Sequence, residues 1–210
     1  MIGLYRQLDT PQPRDLIEAV NSLNDKLGKN NVQILHNLAK PREIVVLAGY
    51  KSLADYESQS EEYVSAGLPE IARDHGVGLV DQGFMVIEAV NDPNNTLRGT
   101  HDYVVLTGGL VKIGAMPNVI AVASRVIEKI GPEQLSQGIS SMVMRAVSGN
   151  NVNKMAYRLG LPSIEAAEEF ITRSPGSRPE VADDLKEWLS NMTAVSRGVF
   201  KVKRKFGPLD

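Results

Sequence analysis

The sequence predicts an α+β protein made of two successive copies of one β-α-β-β-α-β unit, with the sheets of the two copies packed face to face. Three observations lead to this fold class. The same order of strand and helix patterns occurs twice, short matching passages recur in that order, and the predicted strands are apolar on both faces. The predicted boundaries are residues 1–91 for the first copy, 92–99 for a linker and 100–210 for the second copy.

In the first copy, apolar runs bounded by turn residues predict strands at 2–8, 32–39, 43–50 and 83–90. Between the first two strands, residues 14–28 carry leucine and valine at helical spacing and end on glycine, as a helix does. Ser52 is typical of an N-cap and predicts that a second helix begins at Leu53. A break near residue 67 precedes another short helix.

The second copy repeats this order. Strand patterns lie at 100–113, 139–147, 151–160 and 198–206. A helix is predicted over 118–131, and a helix, a break and a further helix run from Ser163 to about Val195. The segment 92–99 between the copies is dense in turn formers, which is why it is interpreted as a linker.

Residue matches between the copies support a duplication. Residues 49–53 align with 160–164, each a strand exit followed by a serine cap, and 69–74 align with 179–184 at nearly the same offset. The strand at 43–50 has hydrophobic residues at consecutive positions, so both of its faces need a packing partner. Helices supply one partner, and the sheet of the other copy is the nearest second one.

Composition narrows the class of protein. A formal net charge of −2 and a pI of about 6.0 give no general attraction for nucleic acid. The chain has no cysteine, which excludes disulfides, thiolate catalysis and cysteine metal sites. No apolar run is long enough to cross a bilayer and the first residues do not resemble a signal peptide, so we expect a cytoplasmic protein without membrane partners.

The passage EIVVLAGYKSLADYESQSEEY at residues 43–63 is similar to the strand-to-helix passage of antibiotic-biosynthesis monooxygenase-like domains. With the predicted element order, the chain resembles the dimeric α+β barrel superfamily as a tandem fused repeat. The resemblance implies two ferredoxin-like units forming a pseudo-dimeric α+β barrel. It also implies one of several activities, among them cofactor-independent monooxygenation of aromatic compounds and haem degradation.

The superfamily pattern is incomplete in this chain. Haem-degrading and quinone-forming members use an asparagine on the first strand together with a tryptophan and a histidine or arginine. The first strand here carries Tyr5, Arg6 and Gln7, and the single tryptophan, Trp188, lies in a helix of the second copy. That triad therefore cannot be transferred to this chain.

His36 and Asn37 are the candidate catalytic residues, because both interrupt an apolar strand. A histidine in a buried strand can act as a general base near neutral pH, and an asparagine can hold an oxyanion. Strand alternation places the two side chains on opposite faces, so one cavity holds both only if the strand carries a bulge. The alternative for His36 is a hydrogen-bonded structural role. The predicted cavity lies between a sheet and its helices, in the first copy near His36.

Four residues are candidates for substrate binding. Tyr5 and Tyr50 are strand tyrosines that could line an aromatic cavity, and Arg6 is a charge embedded in an apolar pattern. Trp188 lies in a helical segment longer than its counterpart in the first copy and could cap a pocket. Packing of the sheet interface, a carboxylate partner and a core anchor are the respective structural alternatives.

Two hypotheses of function follow. The first is a cofactor-independent, monooxygenase-like enzyme acting on a small apolar or aromatic compound, with no cofactor and no metal, since the three histidines lack metal-ligand spacing. The second is a non-catalytic small-molecule-binding or assembly module on the same fold. A haem-dependent member would instead be detected by haem titration. A fused pair already contains the interface that single-unit relatives form by dimerisation, and a further homodimer is compatible with it.

Overall fold

The computed structural model describes residues 2–150, 152–173 and 178–207. Over these residues the elements follow one order in each half of the chain. They are β1 (Ile2–Asp9), α1 (Pro13–Lys26), β2 (Val32–Asn37), β3 (Glu43–Tyr50), α2 (Leu53–Ser65), α3 (Leu68–Asp74), β4 (Gly78–Val90), β5 (Tyr103–Val111), α4 (Met116–Ser136), β6 (Ser140–Ala146), β7 (Lys154–Leu161), α5 (Ile164–Thr172), a 3₁₀ turn (Pro179–Val181), α6 (Ala182–Ser190) and β8 (Met192–Arg204).

The described strands form one closed antiparallel barrel. The strand order is β1-β3-β2-β8-β5-β7-β6-β4, so each half supplies four neighbouring strands in the ferredoxin-like arrangement. The predicted α+β fold with two β-α-β-β-α-β units is confirmed. The sheets also join at their edges, where β2 pairs with β8 and β4 pairs with β6. Closure removes the free edges that an open sheet would expose.

The interior of the barrel is apolar and is shared by the two halves. Its buried members come from seven of the strands and are Tyr5, Leu35, Val45, Leu47, Met85, Val104, Met144 and Phe200. The outer face of the first half packs under α1, whose Leu16 and Ile17 are buried, and the outer face of the second half packs under α4. Strands buried on both faces explain the continuous apolar runs of the sequence.

Several local features follow directly from sequence chemistry. Pro13 lies in the first turn of α1, where its missing N–H is not needed. The Ser52 Oγ accepts a hydrogen bond from the Asp55 N–H at 3.1 Å, and the Ser163 Oγ accepts one from the Ala166 N–H at 3.3 Å. Both serine caps therefore begin a helix where predicted.

Two elements differ from the expected bounds in ways that affect the site. The sequence predicts a helix over 118–131, but α4 continues past Pro132 to Ser136. Asn91 packs on this last segment, and its Nδ2 donates to the Gly131 and Ile139 carbonyls at 3.2 and 2.9 Å. The register between β5 and β8 shifts between Gly108 and Leu110 of β5, and Ala194 of β8 has a left-handed backbone with φ of 51°. This is a β-bulge, which redirects the residues that follow it.

Among the described residues, no helix combines the length and the apolar composition that crossing a bilayer requires.

Candidate functional site

A cavity of about 470 Å³ lies in the second half, between the outer face of the sheet and the helices α4, α5 and α6. Its walls are mainly aliphatic and aromatic. Val126 and Ile130 come from α4, Phe170 comes from α5, and Leu185 and Trp188 come from α6. An apolar hollow of this size, with a few polar groups, is typical of a small-molecule site.

The floor of the cavity is a row of side chains across neighbouring strands. Arg197 of β8 pairs with Thr107 of β5, which pairs with Tyr157 of β7, so the three side chains share the helix-facing surface. The Arg197 Nε donates to the Thr107 Oγ1 at 3.1 Å. The Arg197 guanidinium carbon lies 5.4 Å from the centre of the Phe170 ring, within cation–π range. The row therefore runs from a cation at one side to a phenol further inside.

Three buried polar atoms near the inner part of the cavity have no hydrogen-bond partner of standard geometry among the described residues. They are the Tyr157 Oη, the Gln134 Oε1 and the Ser141 Oγ. Burial raises the pKa of the Tyr157 phenol, and the nearby Ser141 and Gln134 side chains only partly oppose this effect. The phenol is therefore neutral at physiological pH and can donate a hydrogen bond. A ligand or water would satisfy such groups.

An ion-pair cluster holds α6 against α4 over the cavity. The buried Asp184 carboxylate accepts hydrogen bonds from the Arg125 Nε at 3.0 Å and from the Lys129 Nζ at 2.6 Å. Arg125 also reaches Glu187 at 2.9 Å. The hydrogen bond from Lys129 is the main reason that the pKa of Asp184 is lowered. This cluster fixes the helix that carries Trp188 into the cavity wall.

The corresponding space in the first half is filled by aromatic side chains. The Tyr50 and Tyr56 rings meet edge to face with centres 5.3 Å apart, and Tyr56 and Phe84 do so at 4.9 Å. These rings pack with the buried core of α1, β2 and β3. The two halves thus share a topology but differ in what lies between sheet and helices.

The structure places the two candidate catalytic residues away from this cavity. His36 lies half-buried on the outer face of β2, and its Nε2 is 2.7 Å from the Pro41 carbonyl oxygen. Asn37 is buried on the opposite face, where its Nδ2 donates to the Glu43 Oε1 at 2.5 Å and its Oδ1 accepts from the Ala39 N–H. The cavity expected near His36 in the first half is thus in the second half, because aromatic rings fill the first.

The four candidate binding residues are dispersed, and Trp188 alone of these lines the cavity. Tyr5 lies inside the barrel, where its Oη donates to the Asp81 Oδ2 at 2.7 Å, and burial raises its pKa. Tyr50 is a core residue of the first half, and burial raises its pKa to about 12. Arg6 lies on the outer face near Tyr50, where its positive charge acts to lower that pKa.

The residues that form the cavity floor were not assigned to a site by the sequence analysis. Tyr157 and Thr107 both lie on predicted strands, but only the pairing register shows that they are neighbours. Arg197 follows the bulge at Ala194, which no apolar pattern indicates. Within the described part of the chain, no group of three histidine, aspartate or glutamate side chains is placed to hold a metal ion.

No protein-family model and no curated protein sequence matches this chain. Solved structures do match over nearly its whole length. A candidate monooxygenase from Fusobacterium nucleatum has a TM-score of 0.73 at 10% identity, covering 100% of this chain and 96% of its own. An anthrone oxidase-like protein has a TM-score of 0.65 at 12% identity, with 99% and 94% covered.

A third match is a ferredoxin-fold protein from Listeria monocytogenes related to antibiotic biosynthesis monooxygenases, with a TM-score of 0.51 at 10% identity, covering 100% of this chain and 96% of its own. Identities this low establish a shared architecture and leave the chemistry open. The fold of this chain is therefore that of the dimeric α+β barrel proteins, with both halves carried by one polypeptide.

Proposed function

We propose that this protein binds a small, largely apolar or aromatic compound in the cavity of its second half. The observation that carries the proposal is the cavity itself, about 470 Å³ in volume and walled by aliphatic and aromatic side chains. The volume lies within the range of about 300–1,000 Å³ that small-molecule sites occupy.

Polar groups in the cavity suit orientation of a ligand better than proton abstraction. The neutral Tyr157 phenol and the Gln134 side chain are available for hydrogen bonds. The two carboxylates that line the cavity, Glu133 and Glu169, are each paired with an arginine. The hydrogen bond from Arg178 also lowers the pKa of Glu133, which makes it a weak base. Binding is thus the function that this geometry supports best.

A cofactor-independent monooxygenase-like activity is the second candidate. It is favoured by the similarity to a candidate monooxygenase and to an anthrone oxidase-like protein. The same cavity would then hold an oxidisable aromatic substrate. A catalytic role for His36 and Asn37 belongs to this candidate and requires a second binding position on the first half, because neither residue lines the cavity. Oxygen uptake by the parent protein and by His36→Ala, with each compound that binds, tests this candidate.

Trp188 allows a direct test of binding, because it is the only tryptophan and it lines the cavity. Titration with octanol, which does not absorb where tryptophan is excited, should change the fluorescence of Trp188 saturably. The same ligand should raise the unfolding temperature by mass action. Native mass spectrometry of the purified protein would show any compound that is retained. A flat titration together with an unchanged unfolding temperature would contradict the proposal.

A further inference from the structure

We infer that the compound bound in this cavity carries an anionic head group, a carboxylate or a similar singly charged group, which binds to Arg197 at the cavity mouth. The inference rests on the proposed function and adds the class of ligand. It identifies an amphipathic monoanion, such as a medium-chain or aromatic carboxylate, in place of a neutral hydrocarbon.

Pairing among the described residues leaves one cation of the cavity lining without a carboxylate partner. The charged side chains of the lining are Glu133, Glu169, Arg173, Arg178 and Arg197. Arg178 forms two parallel hydrogen bonds with Glu133, at 3.0 and 3.1 Å, and Arg173 is paired with Glu169 one helical turn away. Arg197 forms no ion pair with any described residue. Three cations and two anions give the lining a net charge of +1.

Arg197 is held in position, although it has no ion-pair partner in the described part of the chain. Its Nε is held by the Thr107 Oγ1 and its guanidinium lies over the Phe170 ring. These contacts use the Nε and one face of the guanidinium. Its two terminal nitrogens, Nη1 and Nη2, make no hydrogen bond to the described residues. They form the planar pair of donors that a carboxylate accepts in bidentate geometry.

The arrangement around Arg197 separates a charged end from a largely apolar interior that holds the neutral Tyr157 phenol. Arg197 is exposed at the mouth, while Val126 and Ile130 line the cavity from α4. A ligand with its head on Arg197 would extend along the row towards Tyr157, two strands away, which is about 10 Å at ordinary strand spacing. A medium-length chain or a fused aromatic ring system fills such a distance.

Octanoate and octanol provide a matched pair of probes, because they share the chain and differ in the charge of the head. With the full-length protein, Trp188 fluorescence should show that octanoate binds about tenfold more tightly than octanol, which is the ratio that about 1.4 kcal/mol provides. Arg197→Gln should remove this preference, so that octanoate binds the variant no more tightly than octanol does. Retained octanol binding also shows that the variant is folded with its cavity intact.

Lys201→Gln is the matched control, since Lys201 is an exposed cation four positions further along β8 that does not line the cavity. It should leave the preference for octanoate intact. Equal affinities of the parent for the two probes would overturn the inference and leave the proposed function standing. If Arg197→Gln kept the full preference for octanoate over octanol, the inference would likewise be overturned and the proposed function would stand. Failure of both probes to bind the parent would overturn the proposed function and the inference together.

Discussion

Leu161, the last residue of β7, occupies in the second half the position that Tyr50 occupies at the end of β3 in the first half. Leu161 pairs with the first residue of β5 as Tyr50 pairs with the first residue of β1, and each lies two residues before a serine N-cap. The Tyr50 ring contributes to the aromatic cluster of the first half, whereas Leu161 lines the cavity of the second. A smaller residue at this one position is part of the reason that the more enclosed hollow lies in the second half, whereas that of the first half is an open groove between α2 and Phe84.

Replacement of Leu161 by phenylalanine should partly fill the cavity. We expect Leu161→Phe to weaken octanol binding at least about tenfold, because the added ring occupies volume that the ligand needs. The free energy of unfolding should change by less than about 1.5 kcal/mol, since the ring enters an existing hollow. Trp188 fluorescence titration and urea unfolding measure the two effects.

Leu38→Phe is a suitable control for Leu161→Phe. Leu38 is 48% exposed and does not line the cavity, so this variant adds the same ring without filling the hollow. Its octanol affinity should equal that of the parent. An unchanged affinity in Leu161→Phe would mean that the ligand binds elsewhere.

The Tyr157 hydroxyl should contribute little to stability in the absence of a ligand. Among the described residues its buried oxygen has no hydrogen-bond partner of standard geometry, so Tyr157→Phe removes at most a weak contact with Ser141 or Gln134 and relieves a desolvation cost. We expect the free energy of unfolding to be unchanged or to rise by up to about 1 kcal/mol. Urea unfolding of the two proteins provides the measurement.

Tyr63→Phe is the comparison for Tyr157→Phe, because the Tyr63 Oη donates to the Asn24 Oδ1 at 2.6 Å. Loss of that bond should destabilise the protein by about 1 kcal/mol and leave the Asn24 oxygen without its donor. If Tyr157→Phe were as destabilising as Tyr63→Phe, the Tyr157 hydroxyl would be bonded in solution, through water or through Ser141.

His101, a buried residue just before β5, should make stability depend on pH. Burial and the positive charge of Arg158 lower the pKa of His101 from 6.5 to about 4, against smaller opposing effects from the Gly138 carbonyl and Asp92. The unfolded chain therefore binds the proton more readily, and stability falls as the pH drops through 6.5 towards 4. We expect a loss of about 2 kcal/mol between about pH 8 and about pH 5.

His101→Gln tests the origin of this pH dependence, because glutamine does not titrate. Urea unfolding of the variant should give a flatter dependence over the same range, whatever its absolute stability. The carboxylates with lowered pKa values lose their contribution at lower pH and affect both proteins alike. Identical slopes in parent and variant would place the pH dependence on another group.

Much of the fold could be predicted from the sequence because its signals are local. Serine caps mark two helices, and consecutive apolar residues such as those at 43–50 show that both faces of a strand are covered. The cavity could not be predicted in this way. It depends on the continuation of α4 past Pro132, which the Gly-Pro pair argues against, and on side-chain volume at positions that only the register relates.

The roles of the candidate catalytic residues likewise could not be predicted from local sequence signals. A polar side chain that interrupts an apolar strand indicates that some group forms a hydrogen bond with it, but the pattern does not identify that group. The partners of Asn37 are the Glu43 carboxylate and the backbone of the following turn, so its role in the structure is to close a hairpin. The sequence did not mark Arg197 as a site residue, because an arginine on a strand is ordinarily a solvated surface residue. Its place in the site depends on the bulge at Ala194, after which Arg197 lies beside Thr107.

Arg158 is a buried cation of the barrel interior, and its removal together with its partner Gln33 should stabilise the protein. The counterpart of Arg158 in the first half is Leu47, and burial lowers the Arg158 pKa to about 10. Its Nη2 donates to the Gln33 Oε1 at 3.0 Å, whereas its Nε has no partner among the described residues. Arg158→Leu alone would leave the buried Gln33 oxygen without a donor, a cost of about 1–3 kcal/mol.

The double variant Arg158→Leu with Gln33→Leu removes both polar groups. We expect it to be more stable than the parent by about 1–4 kcal/mol, because an apolar pair replaces a desolvated charge that pairs with no carboxylate of the described residues. The single variant should lie below the double variant, and urea unfolding of all three proteins measures the order. A double variant less stable than the parent would show that an anion or water held inside the barrel satisfies Arg158, and that the buried cation contributes to stability.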